Sequence, residues 1–120
     1  MRRILIIDDE VFLARNLAEL IGRTNEWETT VAHTAKEAVE LVSLSHFDTI
    51  LLDLNLPDIN GIELAKRLNK LNPLVQIIYM SAYAEYIKDL KATIGDCEMI
   101  LEKPFDFDRL QNILDQLILI

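Results

Sequence analysis

The stretch Thr49-Ile50-Leu51-Leu52-Asp53 joins a short apolar, partly β-branched run to a single carboxylate. The run is too short for a helix, and its side chains do not alternate between apolar and polar. A strand with this pattern is typically covered on both faces, as in the centre of a parallel sheet. Residues 4–7, which are followed by Asp8, show the same pattern near the start of the chain. The two runs therefore predict two central strands of a parallel sheet.

Outward from these runs, short apolar segments alternate with amphipathic segments along the whole chain. Three further strands are predicted at 27–32, 75–80 and 98–101, where β-branched and other apolar residues cluster. Because strands that alternate with helices form βαβ units, five such pairs predict an α/β fold with three layers.

Each predicted strand is followed by a segment that carries one apolar stripe at helical spacing. The fourth segment, 84–93, has the weakest stripe, with Ile87 and Leu90 as its main anchors, so we expect this helix to pack most loosely. Thr34, followed by Glu37, and Asn60 precede the second and third helices and are suited to cap them. The other stripes are formed by Ala14, Leu17, Ala18 and Ile21; Ala35, Ala38, Val39 and Val42; Ile62, Ala65 and Leu68; and Leu110, Ile113, Leu114, Leu117 and Ile118.

Composition limits what this chain can be. Its 120 residues, 51% of them hydrophobic, suffice for one substantial core, so we expect a single domain over residues 1–120. The net charge of −8 would repel a nucleic-acid backbone or an anionic membrane, which argues against direct binding to either. The lone Cys97 cannot form an intrachain disulfide and is interpreted as a small buried apolar residue. Because no segment approaches the ~20 apolar residues of a membrane span, we expect a cytoplasmic protein.

The residues that follow the predicted strands carry the candidate chemistry, since open parallel sheets bind ligands beyond the carboxyl ends of their strands. Three carboxylates follow the first strand, one ends the third, a hydroxyl follows the fourth and an ammonium follows the fifth. We therefore expect these side chains to converge: Asp8, Asp9, Glu10, Asp53, Ser81 and Lys103.

Clustered carboxylates repel one another, so keeping Asp8, Asp9 and Asp53 ionised requires a cation. Mg²⁺ suits them best, because the candidate ligands are oxygens and no thiolate or imidazole is expected at the strand ends. His33 and His46 are interpreted as surface or loop residues. The acids after the first strand have a second interpretation, since Asp9 or Glu10 could simply cap the first helix. Lys103 could pair with Asp53 or with a phosphoryl oxygen attached to it.

As a set, these residues resemble the receiver domains of bacterial two-component systems. The resemblance extends over nearly the whole chain and implies a flavodoxin-like, doubly wound (βα)5 parallel sheet in the order 2-1-3-4-5. Its motifs are Ile6-Ile7-Asp8-Asp9-Glu10, Leu51-Leu52-Asp53-Leu54-Asn55-Leu56-Pro57, Asn60-Gly61, Met80-Ser81-Ala82 and Lys103-Pro104-Phe105.

The resemblance implies a signalling switch rather than a turnover enzyme. The domain would accept a phosphoryl group from the phosphohistidine of a sensor histidine kinase or phosphotransfer protein, promoting its own phosphorylation and slow dephosphorylation. The resemblance implies that Asp53 is the phosphoacceptor and that Mg²⁺ is bound directly by Asp9, largely through water by Asp8, and through the backbone carbonyl of Asn55. Ser81 and Lys103 would contact the phosphoryl oxygens, and the small Ala82 would keep the acceptor accessible. Asn55 and Tyr83 would flank the path of attacking water, and the Lys103-Pro104 peptide would be cis.

One residue departs from the family pattern. Receivers commonly carry an aromatic residue three positions before the lysine, where this chain has Ile100, so the readout of phosphorylation is expected to run through packing. The implied output face is the fourth helix, fifth strand and fifth helix, which could contact an effector domain or partner protein or form a homodimer. The first helix, with Phe12 on it, is a usual kinase contact of the family. The apolar end, 117–120, indicates either a piece of a longer protein or a docked segment.

Two other functions are compatible with the residues. A Mg²⁺-dependent phosphohydrolase would use Asp53 as nucleophile, but the usual second aspartate two residues later is replaced by Asn55, which cannot act as a carboxylic acid. A phosphorylation-independent interaction module would explain Ile100, whereas the complete set of acids, hydroxyl and lysine argues against it.

Overall fold

The structure, a computed structural model, describes residues 1–95 and 99–118. Five parallel strands form one sheet in the order β2-β1-β3-β4-β5, which confirms the predicted fold and strand order. The strands are β1 (Arg2–Ile7), β2 (Trp27–Ala32), β3 (Thr49–Asp53), β4 (Gln76–Ser81) and β5 (Ile100–Glu102), and the helices are α1 (Val11–Gly22), α2 (Ala35–Leu44), α3 (Gly61–Leu71), α4 (Ala84–Ile94) and α5 (Phe107–Ile118).

The continuous apolar runs of β1 and β3 arise because both faces of the sheet are covered. Ile4 and Ile6 pack in a cluster with residues of α1 and α5, whereas Leu5 and Ile7 pack with residues of α2 and α3. All four side chains are fully buried, and each such burial contributes about 1.5–3 kcal/mol relative to exposure. The central strands therefore stabilise the fold through both faces.

The fourth helix has the fewest buried anchors, as predicted. Ile87 and Leu90 are the buried residues of α4, and they pack with Leu54 and Ile100 in a small third cluster. The longer helices α1 and α5 instead contribute to the large cluster on one face of the sheet. Less apolar contact therefore holds α4 in place.

Both predicted helix caps are present. The hydroxyl of Thr34 accepts a hydrogen bond from the backbone N–H of Glu37 at 3.2 Å, and Oδ1 of Asn60 accepts one from the N–H of Ile62 at 2.8 Å. Each bond satisfies one N–H that the helix itself leaves unpaired. The cap at Asn60 also fixes where the loop from β3 ends and α3 begins.

Strand boundaries differ from the predictions in every strand but β2. The first strand begins at Arg2 rather than at residue 4, and the third ends at Asp53 rather than at residue 52. The strand predicted at 75–80 begins at Gln76, because the N–H of Val75 is bonded to the carbonyl of Asn72 in the turn after α3. The strand predicted at 98–101 is described from Ile100 to Glu102, with Met99 in a turn. Glu98, the interpretation of Cys97 as buried, and residues 119–120 lie outside the described residues. No described helix is long and apolar enough to cross a membrane.

Candidate functional site

The carboxyl ends of β1, β3 and β5 bring two carboxylates and one ammonium together. Nζ of Lys103 lies 2.8 Å from Oδ2 of Asp8 and 2.9 Å from Oδ2 of Asp53. It also lies 3.8 Å from Oε1 of Glu10. Asp8 is fully buried and Asp53 is 3% exposed, so these charges interact with little screening by solvent. The predicted convergence of these acids with Lys103 is confirmed.

The second oxygen of each buried carboxylate accepts a backbone hydrogen bond. Oδ1 of Asp8 accepts from the N–H of Glu10, and Oδ1 of Asp53 accepts from the N–H of Asn55, both at 2.9 Å. Each bond spans two residues, so the carboxylates shape the loops that immediately follow their own strands. The same side chains therefore define both the charge of the site and the course of its loops.

Burial makes Asp53 an unusual aspartate. Removal from water is the main cause that raises its pKa, and the negative charge of Asp8 adds to it, whereas the Asn55 N–H and Lys103 lower it; the net pKa is about 6. Burial lowers the pKa of Lys103, but its hydrogen bonds to Asp8 and Asp53 outweigh this and hold the pKa above its ordinary value. Lys103 therefore remains charged, whereas the charge on Asp53 is poorly compensated.

Asp8 is held in place from β2. Its backbone N–H donates to the carbonyl of Ala32 at 3.0 Å, and its own carbonyl lies 2.9 Å from Nδ1 of His33. A carbonyl only accepts hydrogen bonds, so this contact places the proton on Nδ1. The expectation that no imidazole lies at the strand ends is wrong, because His33 directly follows β2 and turns toward Asp8.

Glu10 lies at the site, as the predicted convergence of the strand-end side chains requires. Glu10 occupies the N-cap position of α1, but its side chain makes no capping hydrogen bond, so the capping interpretation is wrong for Glu10. Carboxylate oxygens of Asp8, Glu10 and Asp53 all lie within 4.8 Å of one another. The position of Glu10 two residues after Asp8, in the turn that the Asp8 carboxylate closes, brings it there.

Most of the predicted site residues, but not Asp8 or Ser81, border one small cavity of about 130 Å³. Asp9 is exposed, and Ala82 and Tyr83 directly precede α4. The cavity lining comprises Asp9, Glu10, Asp53, Asn55, Ala82, Tyr83 and Lys103. The Asp53 carboxylate is therefore reached from solvent past small or polar groups.

Ser81 is fully buried at the end of β4. Its Oγ accepts a hydrogen bond from the N–H of Tyr83 at 3.0 Å and lies 3.4 Å from the Tyr83 carbonyl oxygen. At the neighbouring strand, Ile100 is 6% exposed and packs beneath α4, and the Lys103-Pro104 peptide is cis as predicted. The hydroxyl of Ser81 thus connects the edge of the site to the first turn of α4.

The donor set of the site suits a hard cation. Within the described residues, the group of three carboxylates contains oxygen donors alone, and His33 contacts a backbone carbonyl beside it rather than joining it. Clustered anionic oxygens of this kind fit Mg²⁺ or Ca²⁺ better than a soft metal. The cluster can therefore bind a divalent metal ion.

An apolar cleft of about 420 Å³ lies next to the site. Leu13 and Leu17 of α1 form one side, Phe105 and Phe107 form the other, and Lys103 and Glu10 stand at its polar end. Phe12, one residue before Leu13, is 88% exposed. This surface offers apolar contacts to a partner within reach of Asp53.

Comparison with known proteins assigns the chain to a family. The family described as "Response regulator receiver domain" matches residues 4–115. The sensory transduction protein LytT of Bacillus subtilis is 38% identical over 115 residues, which are 95% of this chain and 47% of LytT. The chain thus spans about half the length of that relative.

Solved structures agree with this assignment. The response regulator protein TrrA of Thermotoga maritima, solved in complex with Mg(2+)-BeF, superimposes with a TM-score of 0.83 at 31% identity over 98% of this chain and 99% of that one. A response regulator of Burkholderia pseudomallei with a phosphorylated aspartic acid and a calcium ion gives a TM-score of 0.80 at 27% identity over 92% of this chain and 65% of that one. The fold, the strand-end residues and the family match together show that this chain belongs to the response regulator receiver domains, a family of signalling phosphoacceptor domains.

Proposed function

We propose that Asp53 accepts a phosphoryl group from the phosphohistidine of a sensor histidine kinase or phosphotransfer protein in a Mg²⁺-dependent reaction. The observation that carries this proposal is the buried Asp53 carboxylate, which borders a solvent-reached cavity with Lys103 Nζ 2.9 Å away. The phosphorylated aspartic acid of the Burkholderia protein and the Mg(2+)-BeF complex of TrrA support the same chemistry.

In the transfer, an oxygen of Asp53 forms a bond to phosphorus while the phosphorus–nitrogen bond to the donor imidazole breaks. The bonding electron pair leaves with the imidazole nitrogen, so no proton has to be removed from the attacking carboxylate. The reaction depends on in-line positioning and charge neutralisation rather than on a general base. Lys103 provides positive charge, and the Ser81 hydroxyl can donate to a phosphoryl oxygen.

We propose that the divalent cation is Mg²⁺, held by carboxylates of Asp8, Asp9 and Asp53 and by the backbone carbonyl of Asn55. Bound there, it supplies charge neutralisation for the phosphoryl oxygens. Glu10 is added to these residues because its carboxylate lies within 4.8 Å of those of Asp8 and Asp53. The Asn55 N–H keeps Oδ1 of Asp53 oriented, since it bonds this oxygen at 2.9 Å.

The domain acts as a switch rather than a turnover enzyme in this proposal. Asn55 and Tyr83 flank the cavity through which water would reach the acyl phosphate, and Ala82 leaves that path open. These side chains set how long the phosphoryl group persists. The resulting change is transmitted to α4, β5 and α5, the face proposed to contact an effector domain, a partner protein or a second copy.

The phosphodonor is proposed to dock at the apolar cleft between α1 and the segment after β5. Leu13, Leu17, Phe105 and Phe107 supply apolar contact there, and Phe12 on the same helix as Leu13 is exposed. Because Lys103 and Glu10 also border this cleft, a docked donor would stand beside Asp53. We place this encounter in the cytoplasm.

The test is to incubate the chain with acetyl phosphate, with and without Mg²⁺, and measure its intact mass. The wild type should gain the mass of one phosphoryl group only when Mg²⁺ is present, whereas Asp53→Asn should gain none. Asp58→Asn is a matched control, because Asp58 is a nearby aspartate whose carboxylate accepts hydrogen bonds from the N–H of Ala35. An unlabelled wild type, or equal labelling of Asp53→Asn, would contradict the proposal.

A further inference from the structure

The hydroxyl of Ser81 has one proton and two prospective acceptors. In the structure Oγ lies 3.4 Å from the carbonyl oxygen of Tyr83 while it accepts the N–H of Tyr83 at 3.0 Å. A serine hydroxyl donates one hydrogen bond, so it cannot serve Tyr83 and a phosphoryl oxygen at once. Occupancy at Asp53 therefore competes with a contact at the start of α4.

The Tyr83 carbonyl accepts the N–H of Ile87 at 3.3 Å as well, so the Ser81 hydroxyl is one of two donors to it. Tyr83 occupies the N-cap position of α4 with an extended backbone, and its side chain makes no capping hydrogen bond. Tyr83 is 52% exposed. Its ring contacts the ring of Tyr86 edge to face, with 5.8 Å between the centroids and 87° between the planes. The first residue outside α4 and a residue in its first turn are therefore in direct ring contact.

Tyr86 stands between packed side chains and open space. On one side it packs against the cluster that contains Leu54 and Ile100. On the other side it borders a cavity of about 350 Å³ formed by the loop from Leu54 to Asn60. This cavity gives the ring room to move, whereas Ile100 is 6% exposed within the cluster.

We propose, resting on the proposed phosphorylation of Asp53, that Tyr86 is the aromatic group that reports phosphorylation in this chain. When Ser81 turns its proton to the phosphoryl group, the start of α4 loses one anchor and the Tyr83–Tyr86 ring pair shifts. The Tyr86 ring then moves toward the cavity beside Leu54, whereas Ile100 keeps its buried position in the cluster. Ile100 in β5 is thus compatible with an aromatic readout by Tyr86 in the first turn of α4.

The experiment compares Tyr86→Leu, which removes the ring, with Tyr86→Phe, which keeps it. Each protein is phosphorylated with acetyl phosphate and Mg²⁺, its mass is measured, and amide hydrogen exchange is followed across α4. Phosphorylation should change exchange in the first turn of α4 by roughly tenfold in the wild type and in Tyr86→Phe. In Tyr86→Leu the change should fall below roughly twofold, although labelling is retained.

The outcomes separate this inference from the proposed function. A wild type that takes up no phosphoryl group contradicts the phosphoacceptor proposal itself. Labelled proteins in which Tyr86→Leu responds like the wild type contradict only the role of Tyr86. A second measurement covers a variant that fails to fold: the ring resonances of Tyr86 in the wild type, identified by their absence in Tyr86→Phe, should shift on phosphorylation. Unshifted ring resonances in labelled wild type would overturn the inference.

Discussion

Nζ of Lys103 lies 2.9 Å from Oδ2 of Asp53, a contact between side chains that are fifty residues apart in the chain. The same nitrogen lies 2.8 Å from Oδ2 of Asp8. One ammonium therefore compensates two buried carboxylates, which leaves the cluster with a negative charge. Burial, with a smaller contribution from the charge of Asp8, therefore keeps the pKa of Asp53 at about 6 despite the ion pair.

The first prediction concerns the titration of Asp53 without divalent cations. Burial and the neighbouring Asp8 raise its pKa to about 6 from the ordinary 3.8, so its carboxyl carbon should titrate near that higher value in an NMR experiment. Added Mg²⁺ should lower the midpoint, because a cation favours the charged form. Titration at the ordinary value without a cation would contradict the described electrostatics.

The same shift makes Asp53 costly for stability. Because the folded-state pKa lies above 3.8, the ionised form destabilises the fold increasingly as pH rises from 3.8 to about 6. Asp53→Asn removes this charge and should stabilise the protein by about 3 kcal/mol at pH 7 and by little at about pH 4. Urea unfolding at the two pH values in a chelating buffer measures the difference; an equal effect at both would argue against it.

The second prediction concerns removal of the shared cation. Lys103→Met leaves Asp8 and Asp53 without their ammonium, and loss of one partner from a buried pair typically destabilises by roughly 3–5 kcal/mol. Lys66→Met is the control, since Lys66 pairs with Glu63 at 3.6 Å on an exposed surface and should change stability by less than about 0.5 kcal/mol. Similar unfolding midpoints for both variants at pH 7 would show that the buried contact contributes little.

The third prediction concerns the loop that carries Asn55. A Cβ added at Gly61 would lie 2.4 Å from Cα of Leu54, so Gly61→Ala must push the backbone next to Asp53. We expect a loss of about 3 kcal/mol or more and slower phosphorylation. The matched change Gly22→Ala meets nothing closer than 3.9 Å, at Oγ1 of Thr29, and should leave both quantities close to the wild type. Equal behaviour of the two variants would refute this packing argument.

The fourth prediction concerns His33, which holds the backbone of Asp8. His33→Ala removes a hydrogen bond of the kind that contributes about 1 kcal/mol, and the Asp8 turn should become less well ordered. The Mg²⁺ concentration for half-maximal phosphorylation should then rise about tenfold, whereas the rate at saturating Mg²⁺ changes little. His46→Ala is the control, because exposed His46 pairs with Asp48 at 3.3 Å. An unchanged Mg²⁺ requirement in His33→Ala would contradict the positioning role.

Much of the fold and site could be predicted because parallel strands impose a simple rule. Their carboxyl ends share one edge, so residues that end apolar runs must meet there, as Asp8, Asp53 and Lys103 do. The alternation of apolar and amphipathic segments does not predict which strands are neighbours in the sheet, because every βα unit has the same local pattern. The order 2-1-3-4-5 was implied by the family resemblance and is confirmed by the structure.

The contacts that could not be predicted join segments across turns. The carboxylate of Asp58 accepts hydrogen bonds from the N–H of Ala35, twenty-three residues away, and His33 reaches the Asp8 carbonyl over twenty-five. These contacts depend on how two loops approach each other at the sheet edge, and neither loop carries a periodic pattern. The same holds for Tyr86, because its cavity is created by the loop after β3.

The most direct test of the account identifies the labelled residue itself. The chain is phosphorylated with acetyl phosphate and Mg²⁺, digested under conditions that preserve acyl phosphates, and sequenced by fragmentation mass spectrometry. The account predicts one phosphoryl group, located on Asp53, and its absence when Mg²⁺ is chelated. A phosphoryl group located on Asp8, Asp9 or Glu10, or no group at all, would contradict the account.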